Sequence, residues 1–248
     1  MHNPDYVFKL YDKIEIYRIF GHYLKRDWIY VKDCTIDGFE SFCHKHKIVM
    51  IKPRRSSCGK GIRKVVINNE LDIKKWYIEL YNEDVIVEEY LTQHPAMSAI
   101  HPESVNTIRV TTVLTNSGVE IMNAAFRMGN RGEAIDNHAS GGIVASIDLG
   151  TGIVVTSGVD KFSNRYIKHP ITHKMILGFQ IPYWDEVKRL AKEVSLCVPQ
   201  VRYVGWDIAV LEEGVALIEG NYRGMFDVQQ QADQVGKRKL YDEVLKNV

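Results

Sequence analysis

Asp207 and Glu219 are acids in apolar company, the first in WDIAV and the second in VALIEGN, and Asn221 follows Glu219 by two residues. A lone charge is costly to bury in such a setting, so each acid asks for a partner. GWDIAVL and VALIEGN read as a strand pair joined by the turn EEG. Antiparallel pairing across that turn brings Asp207 beside Glu219, and the strand period of two puts Asn221 on the face of Glu219. Three converging oxygen-bearing side chains suit a hard cation such as Mg²⁺, completed by water and phosphate. The competing reading is an ion pair between one of the acids and an arginine such as Arg202 or Arg223.

A magnesium-phosphate site predicts a phosphate cradle elsewhere in the chain. SSCGKG supplies Gly59 and Gly61, whose backbone can approach an anion closely, with the charge of Lys60 between them. Lys52 interrupts the apolar run KIVMIKP just before a proline, where phosphate contact explains a charge better than packing does. The chain has neither the P-loop pattern nor the Rossmann glycine pattern. CHKH, from Cys43 to His46, holds zinc-type ligands without a second cluster at suitable spacing, so a solvated helix end competes with a metal there. His94, His101 and His138 read as hydrogen-bonding or loop-fixing residues, with general-base chemistry the alternative. Cys58 reads as a small loop residue.

These residues need elements to position them. With 248 residues, the chain can bury a sizeable core in one large domain or two small ones. Its formal net charge of +1 supplies no bulk field for nucleic acid or an anionic membrane, so any polyanion it binds must be small and local. The four cysteines make no CxxC pair and no disulfide scaffold. Reduced thiols, a charged N-terminal stretch and the lack of a membrane-spanning apolar run give the expectation of a cytoplasmic protein without membrane insertion. IEIYRIFGHYL has helical spacing, and Thr35 is a plausible cap for TIDGFESFCHKH, so residues 1–46 read as a helical segment. KIVMIKP is a strand ending at Pro53, followed by a glycine turn, a second strand, the helix LDIKKWYIELY, which includes the core candidates Trp76 and Tyr77, and the strand DVIVEEYL. From Asn106 onward the pattern is mostly strands, interrupted by the helix DEVKRLAKEVSLCV. Such strand runs with separate helices predict an α+β fold.

The ordered set IKP with GKG, VIVEEYL, TIRV, AAFRMG, DNHASGG and WDIAV with IEGN resembles the ATP-grasp superfamily over nearly the whole chain. The stretch from TIRVTTVL to DNHASGG is similar to ligases that add amino acids to peptide or protein ends. QHP, HPESVNTIRV and GWDIAV are most similar to the sugar-transfer-associated group found with surface-polysaccharide genes. The resemblance implies two α+β subdomains with antiparallel sheets gripping a nucleotide: a small one over 47–92 and a large one over 93–248, after a reduced helical segment 1–46. It implies that Lys52, Gly59, Lys60 and Gly61 hold ATP phosphates, and that Glu88 and Glu89 line the adenine pocket. It places Asn137 near the phosphates, Arg109 and Arg127 at the transferred phosphate or substrate carboxylate, and Asp207, Glu219 and Asn221 on Mg²⁺, with Mn²⁺ as a substitute. Pro95 stands where the family often has a ribose-binding acid, which leaves nucleotide recognition at that place unassigned.

The implied activity is that of a carboxylate-amine ligase acting through an acyl phosphate. Its partners would be ATP, a small-molecule, saccharide or peptide carboxylate, and an amine acceptor, without nucleic acid. The same nucleotide site would also serve a kinase or a non-catalytic nucleotide-binding module. The HPES loop, the N-terminal region and the segment SNRYIKHPITHKMILGFQ are the candidate sources of acceptor recognition.

Overall fold

A computed structural model of the chain describes residues 2–56, 59–68, 71–130, 141–224 and 226–247. Two helices come first, α1 (Pro4–Val7) and α2 (Lys13–Leu24). Asp12 caps α2 by accepting from the Ile14 amide at 3.0 Å, and the stripe of Tyr17, Phe20 and Leu24 is buried against the larger sheet and its helices.

The smaller sheet follows. It is built from β1 (Trp28–Tyr30), β2 (Ile48–Pro53), β3 (Arg63–Val66) and β4 (Val85–Glu89), in the order β1-β4-β2-β3, every pair antiparallel. Two helices, α3 (Ile36–Lys45) and α4 (Ile73–Glu83), cover one face, and Phe39, Trp76 and Leu80 pack there against Val49, Ile51 and Val87. Thr35 caps α3 as expected, its hydroxyl accepting from the Gly38 amide at 3.2 Å. The segment 1–46 is not simply helical, however. Trp28–Tyr30 pairs with Ile86–Glu88, so the small sheet recruits a strand from a stretch whose only sequence signal was three residues long. Three residues are too few to show a period, and the pairing with β4 decides them.

Helix α5 (Pro95–Ile100) leads to the larger sheet. This sheet contains β5 (Thr107–Thr115), β6 (Gly118–Met128), β7 (Ile143–Ile147), β8 (Gly158–Val159), β9 (Arg165–Tyr166), β10 (Tyr203–Val210) and β11 (Val215–Asn221). Its order is β11-β10-β5-β6-β7-β8-β9. Helix α6 (Trp184–Cys197) packs on one face, where Ile108, Phe126, Trp206 and Ile208 meet Val187, Ala191 and Val194. The opposite face receives α7 (Phe226–Asp233) through Val228 and Ala232, and α8 (Arg238–Val244) through Tyr241. Those two closing helices have no counterpart in the strand-ended reading of the sequence. Both sheets are antiparallel, with helices packed on their faces, which is the α+β class. No helix among the described residues is long and apolar enough to cross a membrane.

Gln93 and Asn106 fix the connection between the sheets. The Gln93 amide donates to the carbonyls of His101 and Ser104 at 2.9 and 2.8 Å and accepts from the Asn106 backbone and side chain, each at 2.9 Å. Both residues are buried, and between them they pair the turn's carbonyls at His101 and Ser104. QHP and HPES therefore serve the backbone. His94 caps α5 through Nδ1, Pro95 fills its first turn, and His101 Nδ1 pairs with the Ser104 hydroxyl at 3.0 Å.

Candidate active site

A cavity of about 450 Å³ lies between α2, the end of β2 and the end of β11. Lys13, Tyr17, Lys52, Glu219, Asn221 and Arg223 line it together with apolar residues. Two lysines and a carboxylate thus meet in one cleft, contributed by three separate stretches of chain.

The hairpin β10–β11 forms as its turn chemistry predicts, and Asp207 stands directly opposite Glu219. A bulge between Asp207 and Ile208 corrects the register beyond them. The Asn221 amide donates to Glu219 Oε1 at 3.2 Å, with Asp207 Oδ2 at 3.5 Å. The three side chains converge, but Asp207 is spoken for. Arg109 Nε and Nη2 donate to its two oxygens at 2.5 and 2.8 Å, and Arg127 Nη1 reaches Oδ2 at 2.5 Å. All three groups are buried. Burial by itself would raise the Asp207 carboxyl, yet the two guanidiniums outweigh it and hold the group down to about 2. The ion pair that competed with metal binding thus exists, with Arg109 and Arg127 in place of Arg202 or Arg223. Strand pairing explains the choice. β5 lies beside β10 with Arg109 opposite Asp207, and β6 lies beyond β5, so both arginines arrive on the Asp207 face. Gly205 makes room for this clamp, because a Cβ there would come within 2.9 Å of Arg109 Cδ.

Glu88 and Glu89 part company, since consecutive strand residues point to opposite faces. Glu88 is buried and takes ion pairs from Lys52 and from Arg26 Nε, the latter at 2.7 Å, together with the Tyr17 hydroxyl. Burial again favours the neutral acid, but Arg26 and Lys52 hold the carboxyl at about 2. Arg26 also donates to the Leu217 carbonyl at 2.8 Å, so one guanidinium ties β4 of the small sheet to β11 of the large one. Glu89 instead faces Asp27 and His46 at the outer rim. Its carboxylate accepts from the Asp27 amide at 3.1 Å, while His46 Nε2 meets Asp27 at 3.0 Å. One ligand atom from each of Asp27, His46 and Glu89 would fit within a metal's reach, but the Lys45 ammonium already neutralises Asp27 there. Of the CHKH run, His46 alone among these ligand types joins that group.

Gly59 and Gly61 adopt φ of 72° and 74°, the left-handed region that favours glycine, and a Cβ on Gly61 would press within 2.8 Å of Pro53 Cγ. Lys60 is exposed between them, away from the cavity lining. Asn137, His138 and Cys58 lie outside the described residues.

Lys13 was missed by the sequence reading. It is buried, lines the cavity, and donates to the Ser56 carbonyl and hydroxyl at 3.1 and 3.0 Å. Burial is the largest influence on its ammonium and lowers its pKa, with Glu219 pulling the other way. Its neighbour Asp12 accepts from Arg54 Nε at 3.0 and 2.8 Å, so the start of α2 grips residues 54–56, the stem of the glycine loop. One signal could have found it. Lys13 falls on the same helical stripe as Tyr17, Phe20 and Leu24, where a charge has no packing role.

Two sheets with a cavity at their junction, lined by lysines and by the acid and amide of the last hairpin, match an ATP-grasp fold, and solved structures agree. The ATP-grasp ligase PsnB, in a complex with minimal precursor, Mg and ADP, superposes with a TM-score of 0.60 at 15% identity, covering 99% of this chain and 61% of that one. D-alanyl-alanine synthetase A from Vibrio cholerae O1 biovar eltor str. N16961 gives 0.60 at 12% identity, covering 99% and 67%. A putative ATP-grasp superfamily protein from Archaeoglobus fulgidus gives 0.55 at 13%, covering 98% and 56%. The chain therefore spans about 61% of the length of PsnB. No curated protein sequence matches it. The sequence profile of the sugar-transfer associated ATP-grasp family matches residues 10–246, and the chain belongs to that family.

Proposed function

We propose that the protein is an ATP- and Mg²⁺-dependent ligase that joins a carboxylate to an amine. The observation that carries this reading is the single cavity that gathers Lys13, Lys52, Glu219 and Asn221 beside the Arg109–Asp207–Arg127 clamp. Glu219 and Asn221 fit Mg²⁺, since both line the cavity from same-face positions and offer hard oxygens. They would hold the ion, with Asp207 next to them as a second acid whose charge is shared with the arginines. Mg²⁺ would supply neutralisation of the phosphate oxygens.

The chain's own residues do the rest. Lys13 and Lys52 would meet phosphate oxygens, and the loop at Gly59–Gly61, with Lys60, would close over them. Arg109, already oriented by Asp207, would present Nη1, which finds no partner among the described residues, to the substrate carboxylate, and Arg127 would add its positive charge beside it. A carboxylate oxygen attacks the terminal phosphorus of ATP and ADP leaves; an amine then attacks the acyl carbon and phosphate leaves. Association of the family with sugar transfer, and the peptide bound in PsnB, support a saccharide or peptide as one of the two partners.

Hydroxylamine tests this directly. With Mg-ATP and the right carboxylate, the enzyme should yield a hydroxamate together with ADP and phosphate. ATP consumption that leaves a stable phosphate ester, with no hydroxamate from any carboxylate tried, would replace the ligase by a kinase.

A further inference from the structure

Between β8 and α6 the chain forms an arm spanning residues 160–177, joined to the edge of the large sheet where β9 pairs with β8. Only His169 and Ile176 of residues 161–177 are buried, so the arm lies at the surface and is held at few points. Those points are well made. Asp160 accepts from the amides of Phe162 and Asn164 at 2.8 and 3.0 Å and from the Tyr166 hydroxyl at 3.0 Å. His169 Nε2 donates to the Gly129 carbonyl at 2.7 Å, and the Thr172 hydroxyl donates to the Ile100 carbonyl at 2.7 Å. Lys168 and Met175 face each other across a β-bridge, with the Ile176 amide on the Ile167 carbonyl at 2.9 Å.

What it presents is unusual for this chain. Phe162 is 65% exposed, Ile167 58%, Ile171 50%, Met175 46% and Leu177 39%, a denser run of exposed large apolar side chains than any other described stretch of similar length. Arg165, Lys168 and Lys174 are interleaved with them and exposed. No Asp or Glu occurs from Lys161 to Trp184, although the whole chain nearly balances 32 basic residues with 31 acids. A bare apolar patch of this kind marks a contact surface. Its charge selects an anionic partner, and the interleaving of exposed bases with exposed large apolar side chains matches a surface that offers anionic groups above an apolar layer. We propose that this arm docks the protein on an anionic lipid surface, with Phe162, Ile167 and Ile171 entering the headgroup boundary and Arg165, Lys168 and Lys174 meeting lipid phosphates. The contact is interfacial and needs no spanning segment. It is independent of the ligase reading, because nucleotide turnover plays no part in its test.

Flotation of the full chain with vesicles of phosphatidylcholine alone, and of phosphatidylcholine with about a third phosphatidylglycerol, provides that test. The wild type should float with the anionic vesicles and stay in solution with the neutral ones. Phe162→Ser with Ile167→Ser, and separately Lys168→Glu with Lys174→Glu, should each cut the bound fraction about tenfold at an unchanged melting temperature. Indifference of the wild type to anionic vesicles, or variants that float as well as the wild type, would overturn the proposal. So would binding of polyglutamate by a chain that ignores the vesicles, which would make the arm a surface for acidic peptides.

Discussion

Lys13 and Asp207 are both buried charges, yet their removal should read out differently. Lys13→Met takes away an ammonium that faces the cavity and keeps a side chain of similar length on the α2 stripe. A hydrogen bond to a charged group is worth about 1.5–3 kcal/mol, so Mg-ATP affinity should fall by about tenfold or more in calorimetry. Asp207→Asn should instead damage the fold. It leaves Arg109 and Arg127 buried without their counter-charge, and breaking such a pair costs about 3–5 kcal/mol, measurable as a lower urea midpoint at unchanged slope. Glu219→Gln separates the two roles. Glu219 is only partly buried and has no ion pair among the described residues, so this variant should keep the wild-type urea midpoint while turnover collapses. Normal turnover in Glu219→Gln would remove the acid from the site.

At the scale of elements, the start of α2 and the stem of the glycine loop form one unit. Asp12 caps the helix and grips Arg54, and Lys13 grips Ser56, so helix and loop are positioned by adjacent residues. Asp12→Ala should lose about 1 kcal/mol for the cap. It should also raise the KM for ATP, because the loop stem loses its anchor. A drop in stability with the KM unchanged would show that the grip is structural only. Elements with a long period were legible in sequence: β2, α4, α6 and the β10–β11 hairpin lie where apolar spacing and turn residues put them. β1, α7 and α8 were not, since three residues carry no period and the closing helices take their apolar faces from the sheet they cover.

The molecule as a whole is joined by charge as well as by its core. Arg26 links Glu88 on the small sheet to the Leu217 carbonyl on the large one, and the Arg109–Asp207–Arg127 clamp spans three strands of the large sheet. Glu88 and Asp207 both have folded values near 2, below their ordinary 4.5 and 3.8. A depressed acid contributes stability that is complete above its ordinary value and is lost as pH falls toward its folded value. Stability should therefore begin to decline below about pH 6.5, where His101 and His169, which burial holds neutral, bind protons more readily in the unfolded chain, and should fall more steeply from about pH 4.5 to 2, followed by circular dichroism. Stability that stays level from pH 4.5 to 2 would contradict the two buried acids as a source of stability. Saturating Mg-ATP should act across the same junction. At about a hundred times its dissociation constant it adds roughly 2.7 kcal/mol, and the rise in melting temperature should shrink when a chelator accompanies ATP.

The sequence by itself determined the fold class, the strand ending at Lys52 and Pro53, and the convergence of Asp207, Glu219 and Asn221. Each of these rests on local information: a period of two or 3.6, a turn residue, or a hairpin short enough to set its own register. Tertiary structure decided what those residues touch. Arg109 meets Asp207 because β5 was inserted beside β10 from about a hundred residues upstream, and no spacing along the chain encodes that adjacency. Lys13 reaches the cavity because α2 packs beside β11, and Glu88 parts from Glu89 because the two faces of β4 look toward different neighbours. A side chain's type limits the chemistry it can do, but its partner, and hence its charge state, is chosen by whichever distant strand or helix the core brings against it.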